Sequence, residues 1–197
     1  TTWWPASATP IPHRTVAPHP AGNEGPPLKV MGIVGWSGSG KTALLVETLP
    51  LLRARGLSVS TVKHVHHGFD IDRPGKDSYR HREAGAHEVL VASGTRWALL
   101  HELMGDEPPL PTLLAKLDPV DLVLVEGYKT HPFPKLEVHR PAVGKPPIWP
   151  GDPDIRAVAS DAPLDGLDGR PLLPLNDPAV VSAWICTFLD LPAPISP

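Results

Sequence analysis

The chain has 197 residues, 41% of them hydrophobic and 20% charged, with a formal net charge of −3; that mix suits a globular domain with a real core, and the charge argues against a general nucleic-acid binder. No apolar run approaches the roughly 18 residues of a membrane span, and no basic flank with an apolar core marks a secretory signal. The single cysteine, Cys186, excludes an internal disulfide, so the expectation is a cytoplasmic protein with neither a membrane nor a nucleic-acid partner.

Residues 1–27 carry seven of the 27 prolines and no period of 2 or 3.6. They read as an extended or disordered extension in which Trp3 and Trp4 could dock on a neighbour, ahead of a single nucleotide-binding domain over 28–197. From Leu28 the pattern changes. Leu28 to Val34 is an apolar run suited to a strand buried on both faces. A glycine-rich turn leads into an apolar helix from Ala43 to Leu52, closed by Arg53, Arg55 and Gly56 and kinked by Pro50. The β-branched stretch Leu57 to Val65 predicts the second strand, and 87–93 and 96–102 are further candidates. A short helix over 111–118 precedes the apolar strand 120–127. Lys135 to His139 and Ile155 to Ala159 follow as strands, separated by a loop rich in proline and glycine. The last element is a helix with Asp177 as N-cap and Pro178 at its first position, with Val180, Val181, Trp184, Ile185, Phe188 and Leu189 on one face and Cys186 as a small packing residue. Strands alternating with helices predict an α/β fold, a mostly parallel twisted sheet with helices on both faces and ligands at the C-terminal strand edges.

That geometry sorts the polar residues. G-W-S-G-S-G-K-T at 35–42, between a strand and a helix, is a phosphate-binding loop in its expected context. Gly35, Gly38 and Gly40 leave no side chain in the way, so backbone N–H groups of the loop, Ser39 included, can turn toward phosphate oxygens; Lys41 reaches the β- and γ-phosphates, and the Thr42 hydroxyl binds Mg²⁺. The metal needs an acidic partner at another strand end. Asp121 and Glu126 lie on one strand and are roughly 16 Å apart at about 3.3 Å per residue. Glu126 closes the strand at the ligand edge and is the Mg²⁺-side candidate; Asp121 starts it and is expected to be solvated. The segment K-H-V-H-H-G-F-D-I-D-R-P-G-K-D-S at 63–78 also leaves a strand end. In it, Asp70 or Asp72 touches the metal shell or aligns water, while Lys63, Lys76 and the histidines face a second anionic ligand. Two other possibilities stand beside this: a plain polar surface loop, or a Zn²⁺ or Ni²⁺ site at His64, His66 and His67. Asp161 ends the strand I-R-A-V-A-S-D. A carboxylate there accepts both the ring N–H and the exocyclic amine of guanine, which adenine cannot match; alternatively Asp161 only starts a turn before Ala162 and Pro163.

Taken in order, G-W-S-G-S-G-K-T, K-H-V-H-H-G-F-D-I-D-R-P-G-K-D-S, V-A-S-G-T-R-W-A-L, L-V-E-G-Y-K and V-A-S-D resemble the motifs of the molybdopterin-guanine dinucleotide biosynthesis adaptor family (MobB type) over roughly residues 28–190. The resemblance implies a P-loop, GTP-binding protein using Mg²⁺, with at most weak GTPase activity and usually a homodimer. It implies the molybdopterin guanylyltransferase as partner, and molybdopterin or its guanine dinucleotide as the pathway ligand. The proline-rich extension has no counterpart in that pattern, and the loop P-A-V-G-K-P-P-I-W-P-G-D-P-D stays unassigned. Two other classes compete. A small-molecule kinase would use Asp70 or Asp72 as base, but needs an arginine-bearing lid that the scattered Arg80, Arg82 and Arg96 do not supply. A GTPase metallochaperone would lean on the histidines alone.

Overall fold

The structure, a computed structural model, describes residues 28–65 and 68–192. The proline-rich extension, with Trp3 and Trp4, and the histidines His66 and His67 lie outside the described residues. The element order is β1 (Val30–Val34), α1 (Lys41–Ala54), β2 (Val59–Lys63), α2 (Asp77–Glu83), β3 (Glu88–Ala92), β4 (Trp97–His101), α3 (Leu110–Leu114), β5 (Leu122–Glu126), β6 (Lys135–His139), β7 (Ile155–Ser160), β8 (Leu172–Pro174) and α4 (Pro178–Phe188). Six strands form one sheet in the order β2-β5-β1-β6-β7-β8, and every neighbouring pair is parallel. From β1 the chain first runs outward past β5 to β2, and later builds β6, β7 and β8 on the other side. The turn after β1 therefore sits at the reversal of strand order, where open parallel sheets bind ligands.

Strand alternation divides the interior. Met31, Ile33, Leu122, Leu124, Leu136, Val138, Ala157 and Ala159 are buried in one cluster with Leu44, Leu45 and Leu52 of α1 and Val181, Ile185 and Cys186 of α4. On the opposite face, Val123 and Val125 pack with Leu110 at the start of α3 and with Tyr128. The sheet is thus covered on both sides, as expected. At α4 the expected apolar face is only partly inward: Val180 and Phe188 are exposed, and the Phe188 ring stacks on Trp184 with centroids 5.0 Å apart.

Where sequence signals named a cap, the backbone follows them. Gly56, at φ 84°, ends α1 with N–H bonds from Gly56 to the Arg53 carbonyl (2.9 Å) and from Leu57 to the Leu52 carbonyl (3.4 Å); Leu57 and Leu52 also meet in the core, which is the Schellman arrangement. The helix continues through Pro50, which lies inside its span. The Asp177 side chain accepts from the N–H groups of Ala179 and Val180.

The segments 87–93 and 96–102 are strands as expected, and they pair with each other antiparallel, β3 with β4, apart from the six-stranded sheet. The short link between them allows only a hairpin, because a parallel neighbour requires a crossover of a dozen or more residues. Asp121 is not simply solvated: its Oδ2 accepts from the Ser58 N–H (2.7 Å) and hydroxyl (2.6 Å), tying the start of β5 to the entry of β2.

The unassigned proline-rich loop also acquires a role. On β6, Leu136 and Val138 enter the core beneath α1 and α4, while Lys135, Glu137 and His139 are buried on the alternate positions. Among the described residues no α-helix covers them. The loop through residues 141–152 does, and its backbone N–H groups need acceptors once buried. Glu137 supplies them, accepting from Ile148 (3.0 Å) and Trp149 (2.8 Å). Lys135 anchors the loop's other end on Asp152 at 2.7 Å.

Candidate nucleotide site

The cradle starts where β1 ends. Gly35 is buried against β6, and a Cβ there would lie 2.3 Å from the Val138 carbonyl oxygen and 2.8 Å from Ser39 Oγ, so only glycine fits. Gly38 (φ 81°) and Gly40 (φ 100°) take left-handed backbone that glycine alone adopts without strain. The result is a loop of backbone N–H groups at the N-terminus of α1, a ready anion site. The Ser39 hydroxyl beneath it is buried without a hydrogen-bond partner among the described residues.

Around this loop the charged groups converge. Thr42 Oγ1 donates to Glu126 Oε1 at 2.9 Å. Lys63 Nζ approaches the same oxygen at 3.7 Å. The Lys41 ammonium folds across the loop to donate to the Trp36 carbonyl at 2.9 Å, and Lys129 Nζ sits over the Trp36 ring, 4.2 Å from its centroid. Partial burial pulls the Lys41 ammonium below the ordinary lysine range; Glu126 opposes the shift, and Lys129 and Lys63 add to it. Three lysines gathered about the loop form a positive field that a polyphosphate would neutralise. Thr42 and Glu126 are two hard oxygen donors side by side, a donor pair suited to Mg²⁺.

The other flank of the loop is held by β6 and β7. Arg140, just past β6, points one terminal nitrogen to within 3.5 Å of where a Gly40 Cβ would stand, and its Nε lies 3.3 Å from Asp161 Oδ2. Asp161 is therefore linked to the phosphate loop through a single side chain. The turn after it is tied by Ser160, whose hydroxyl accepts from the Ala162 N–H at 3.2 Å, so the Asp161 carboxylate is not consumed as a turn former. Beside it opens a cavity of about 420 Å³ lined by Ser160, Asp161, Pro163, Leu173 and Asn176, between the ends of β7 and β8. Trp36 Nε1 donates to the Pro146 carbonyl at 2.7 Å, so the loop propped by Glu137 also braces the cradle.

Lys41, Thr42, Glu126 and Lys63 thus meet at one end of the sheet. Asp70 and Asp72 find their partners elsewhere. Arg82 of α2 bonds Asp70 at 2.8 Å, lies 3.6 Å from Asp72 and bonds Glu102 at 3.0 Å. The Ser78 hydroxyl donates to Asp72 at 2.9 Å, and Lys76 is exposed at the N-cap of α2. Among the described residues no three His, Cys, Asp or Glu side chains converge as metal ligands; His66 and His67 lie outside them. Sequence reasoning missed Lys129, Trp36 and Arg140. Lys129 was legible in principle, because Gly127 directly after Glu126 (φ 101°) turns the chain back over the cradle. Arg140 was not, since its part depends on β6 lying next to β1.

Comparison with known proteins agrees with this arrangement. The family model for molybdopterin guanine dinucleotide synthesis protein B, MobB, matches residues 30–161, from the first strand to Asp161 itself. The chain belongs to the MobB family. It is 43% identical over 167 residues to the molybdopterin-guanine dinucleotide biosynthesis adapter protein of Escherichia coli (strain K12), covering 83% of this chain and 94% of the relative. Its identity to the protein of the same name from Haemophilus influenzae is 43% over 168 residues, covering 82% and 90%. Among solved MobB structures, the homologue from Bacillus stearothermophilus superposes with a TM-score of 0.61 at 27% identity, covering 82% of this chain and 97% of that one. A second, described as molybdopterin-guanine biosynthesis protein B, gives 0.64 at 27%, covering 81% and 99%. The parallel sheet with its P-loop is therefore that of a MobB chain.

Proposed function

We infer that this chain is a GTP-binding adaptor in the biosynthesis of molybdopterin guanine dinucleotide, supporting the guanylyltransferase of that pathway. The observation that carries the reading is the convergence of Lys41, Thr42 and Glu126 on the phosphate loop, with Asp161 one arginine away on its opposite flank. Lys41, Lys63 and the loop N–H groups would hold the triphosphate, and Thr42 with Glu126 would hold its Mg²⁺. Asp161 would accept from the guanine ring N–H and amine, with the base in the cavity between the ends of β7 and β8. The bound Mg²⁺ would neutralise charge on the β- and γ-phosphates.

Slow hydrolysis fits the same geometry. Phosphoryl transfer depends on positioning, and the two carboxylates best suited to align water, Asp70 and Asp72, are engaged by Arg82. Turnover without a partner is expected below about 1 s⁻¹, the low end of enzyme rates. A homodimer is supported by the hairpin, whose one face leaves Leu90 63%, Trp97 66% and Leu99 42% exposed, an apolar surface that a second copy would cover. A cytoplasmic setting is part of this reading, and Cys186, a buried free thiol, agrees with it. The test is stimulation of a molybdopterin guanylyltransferase. The wild-type chain with Mg-GTP should raise product formation, and Lys41→Ala should not. Equal stimulation by both would remove GTP from the account.

A further inference from the structure

A second cavity adjoins the cradle, and the GTP reading makes no use of it. It encloses about 420 Å³ and is lined by His64, Glu107, Pro108, Tyr128, Lys129 and His131, with neighbours from the same two loops. That volume lies within the usual range for small-molecule pockets, about 300–1,000 Å³. It shares a wall with the phosphate site, because Lys129 both lines it and sits over the Trp36 ring of the phosphate loop. The backbone is bent to build this wall. Gly127 has φ 101° and is followed by Tyr128 at φ 51°, a left-handed conformation that is uncommon for a bulky side chain. A Cβ on Gly127 would stand 2.9 Å from the Cβ of His64. Strain of this kind collects at ligand sites.

What the bend achieves is specific. It sets the Tyr128 ring 4.5 Å from His64 and 4.7 Å from His131, centroid to centroid, so three aromatic rings lie together on one wall. Glu107 adjoins them at the cavity wall, accepting from the Tyr128 hydroxyl at 3.3 Å and lying 3.1 Å from His64 Nε2. Its carboxylate is still 55% exposed and has lone pairs to spare. Rings, one acceptor carboxylate and one ammonium describe a ligand with three parts: a flat heterocycle, a pair of N–H donors on its edge, and an anionic group.

We propose that this cavity binds the phosphate ester of a pterin-type heterocycle, its phosphate on Lys129, its amide N–H and amine on Glu107 and its ring against Tyr128 and His131. The proposal rests on the GTP reading for the neighbouring site. Together the two sites put a pterin phosphate beside the nucleotide's phosphate chain, with Lys129 reaching both. Guanine presents the same donor pair on its edge as a pterin, so the rival occupant is the base of the GTP itself.

The test uses the phosphate ester of 6-hydroxymethylpterin, followed by its own fluorescence, with GTP binding measured in parallel on the same protein. The expected result is one-to-one binding that persists in saturating Mg-GTP, and at least tenfold weaker binding of the free alcohol. Glu107→Gln should weaken the pterin ester at least tenfold while leaving GTP affinity unchanged, and Asp161→Asn should do the reverse. GTP binding without any binding of the pterin ester would overturn this inference and leave the GTP reading standing. Pterin binding without GTP would do the opposite. Loss of GTP affinity in Glu107→Gln would make the cavity the guanine site and overturn the pterin assignment.

Discussion

The Asp161 carboxylate is where a single residue decides most. If it reads guanine through two accepted hydrogen bonds, an amide in its place meets the guanine amine with a donor. Asp161→Asn should then prefer xanthosine triphosphate, whose ring carries a carbonyl at that position, over GTP by tenfold or more in competition binding; an unchanged preference for GTP would remove the residue from base recognition. Asp70 carries a pH prediction. Its hydrogen bond from Arg82, and then that from the Asp72 N–H, hold its carboxyl below the usual range. The contribution of a depressed carboxylate is present above its unfolded value and lost as pH falls through its folded one. Amide exchange of Asp72, whose N–H bonds the Asp70 carboxylate, should therefore rise selectively below about pH 4, and Arg82→Ala should give that faster exchange already at neutral pH. Cys186, buried in α4 with its thiol pushed up by burial, should resist alkylation until the protein unfolds. At this scale the residues fixed by local pattern were legible: Lys41 and Thr42 follow from the phosphate-loop motif, and Glu126 over Asp121 follows from counting along one strand. Lys129 could have been read from the turn that Gly127 makes directly after Glu126, whereas Arg140 needed the fold, because a neighbouring strand brings it to the cradle.

Elements were legible where their own backbone chemistry sets their ends. Asp177, Pro178 and Gly56 each mark a boundary through a bond or a torsion, and each behaves as expected. Asp177→Ala should cost about 1 kcal/mol, seen as a lower denaturation midpoint at unchanged m value; no shift would mean the cap bonds contribute nothing. The 141–152 loop was opaque because nothing local reveals that Glu137 is its acceptor. Removing that carboxylate strands the buried N–H of Trp149 and the N–H of Ile148. Glu137→Ala should destabilise by about 3 kcal/mol, and through the Trp36–Pro146 bond it should also loosen the phosphate loop, raising the Kd for GTP. Loss of stability with unchanged GTP affinity would separate the loop from the cradle.

For the whole molecule, alternation of strands and helices was enough to specify a parallel sheet, but not its order or the exclusion of the hairpin. Those depend on which strands share an edge, a non-local property. The hairpin is the part least explained by one chain. A two-stranded sheet with an open apolar face is marginal alone, so the protein should elute as a dimer, and Trp97→Glu should give monomers that still bind GTP; a wild-type monomer would leave that face without a partner.

The central claim is that one rim of the sheet holds Mg-GTP by its phosphates and its base together. Calorimetric titration of the chain with GTP and with ATP, each with Mg²⁺, tests it most directly. The account predicts GTP at least tenfold tighter than ATP, with no detectable binding of either in Lys41→Ala; equal affinities, or binding that survives Lys41→Ala, would contradict it.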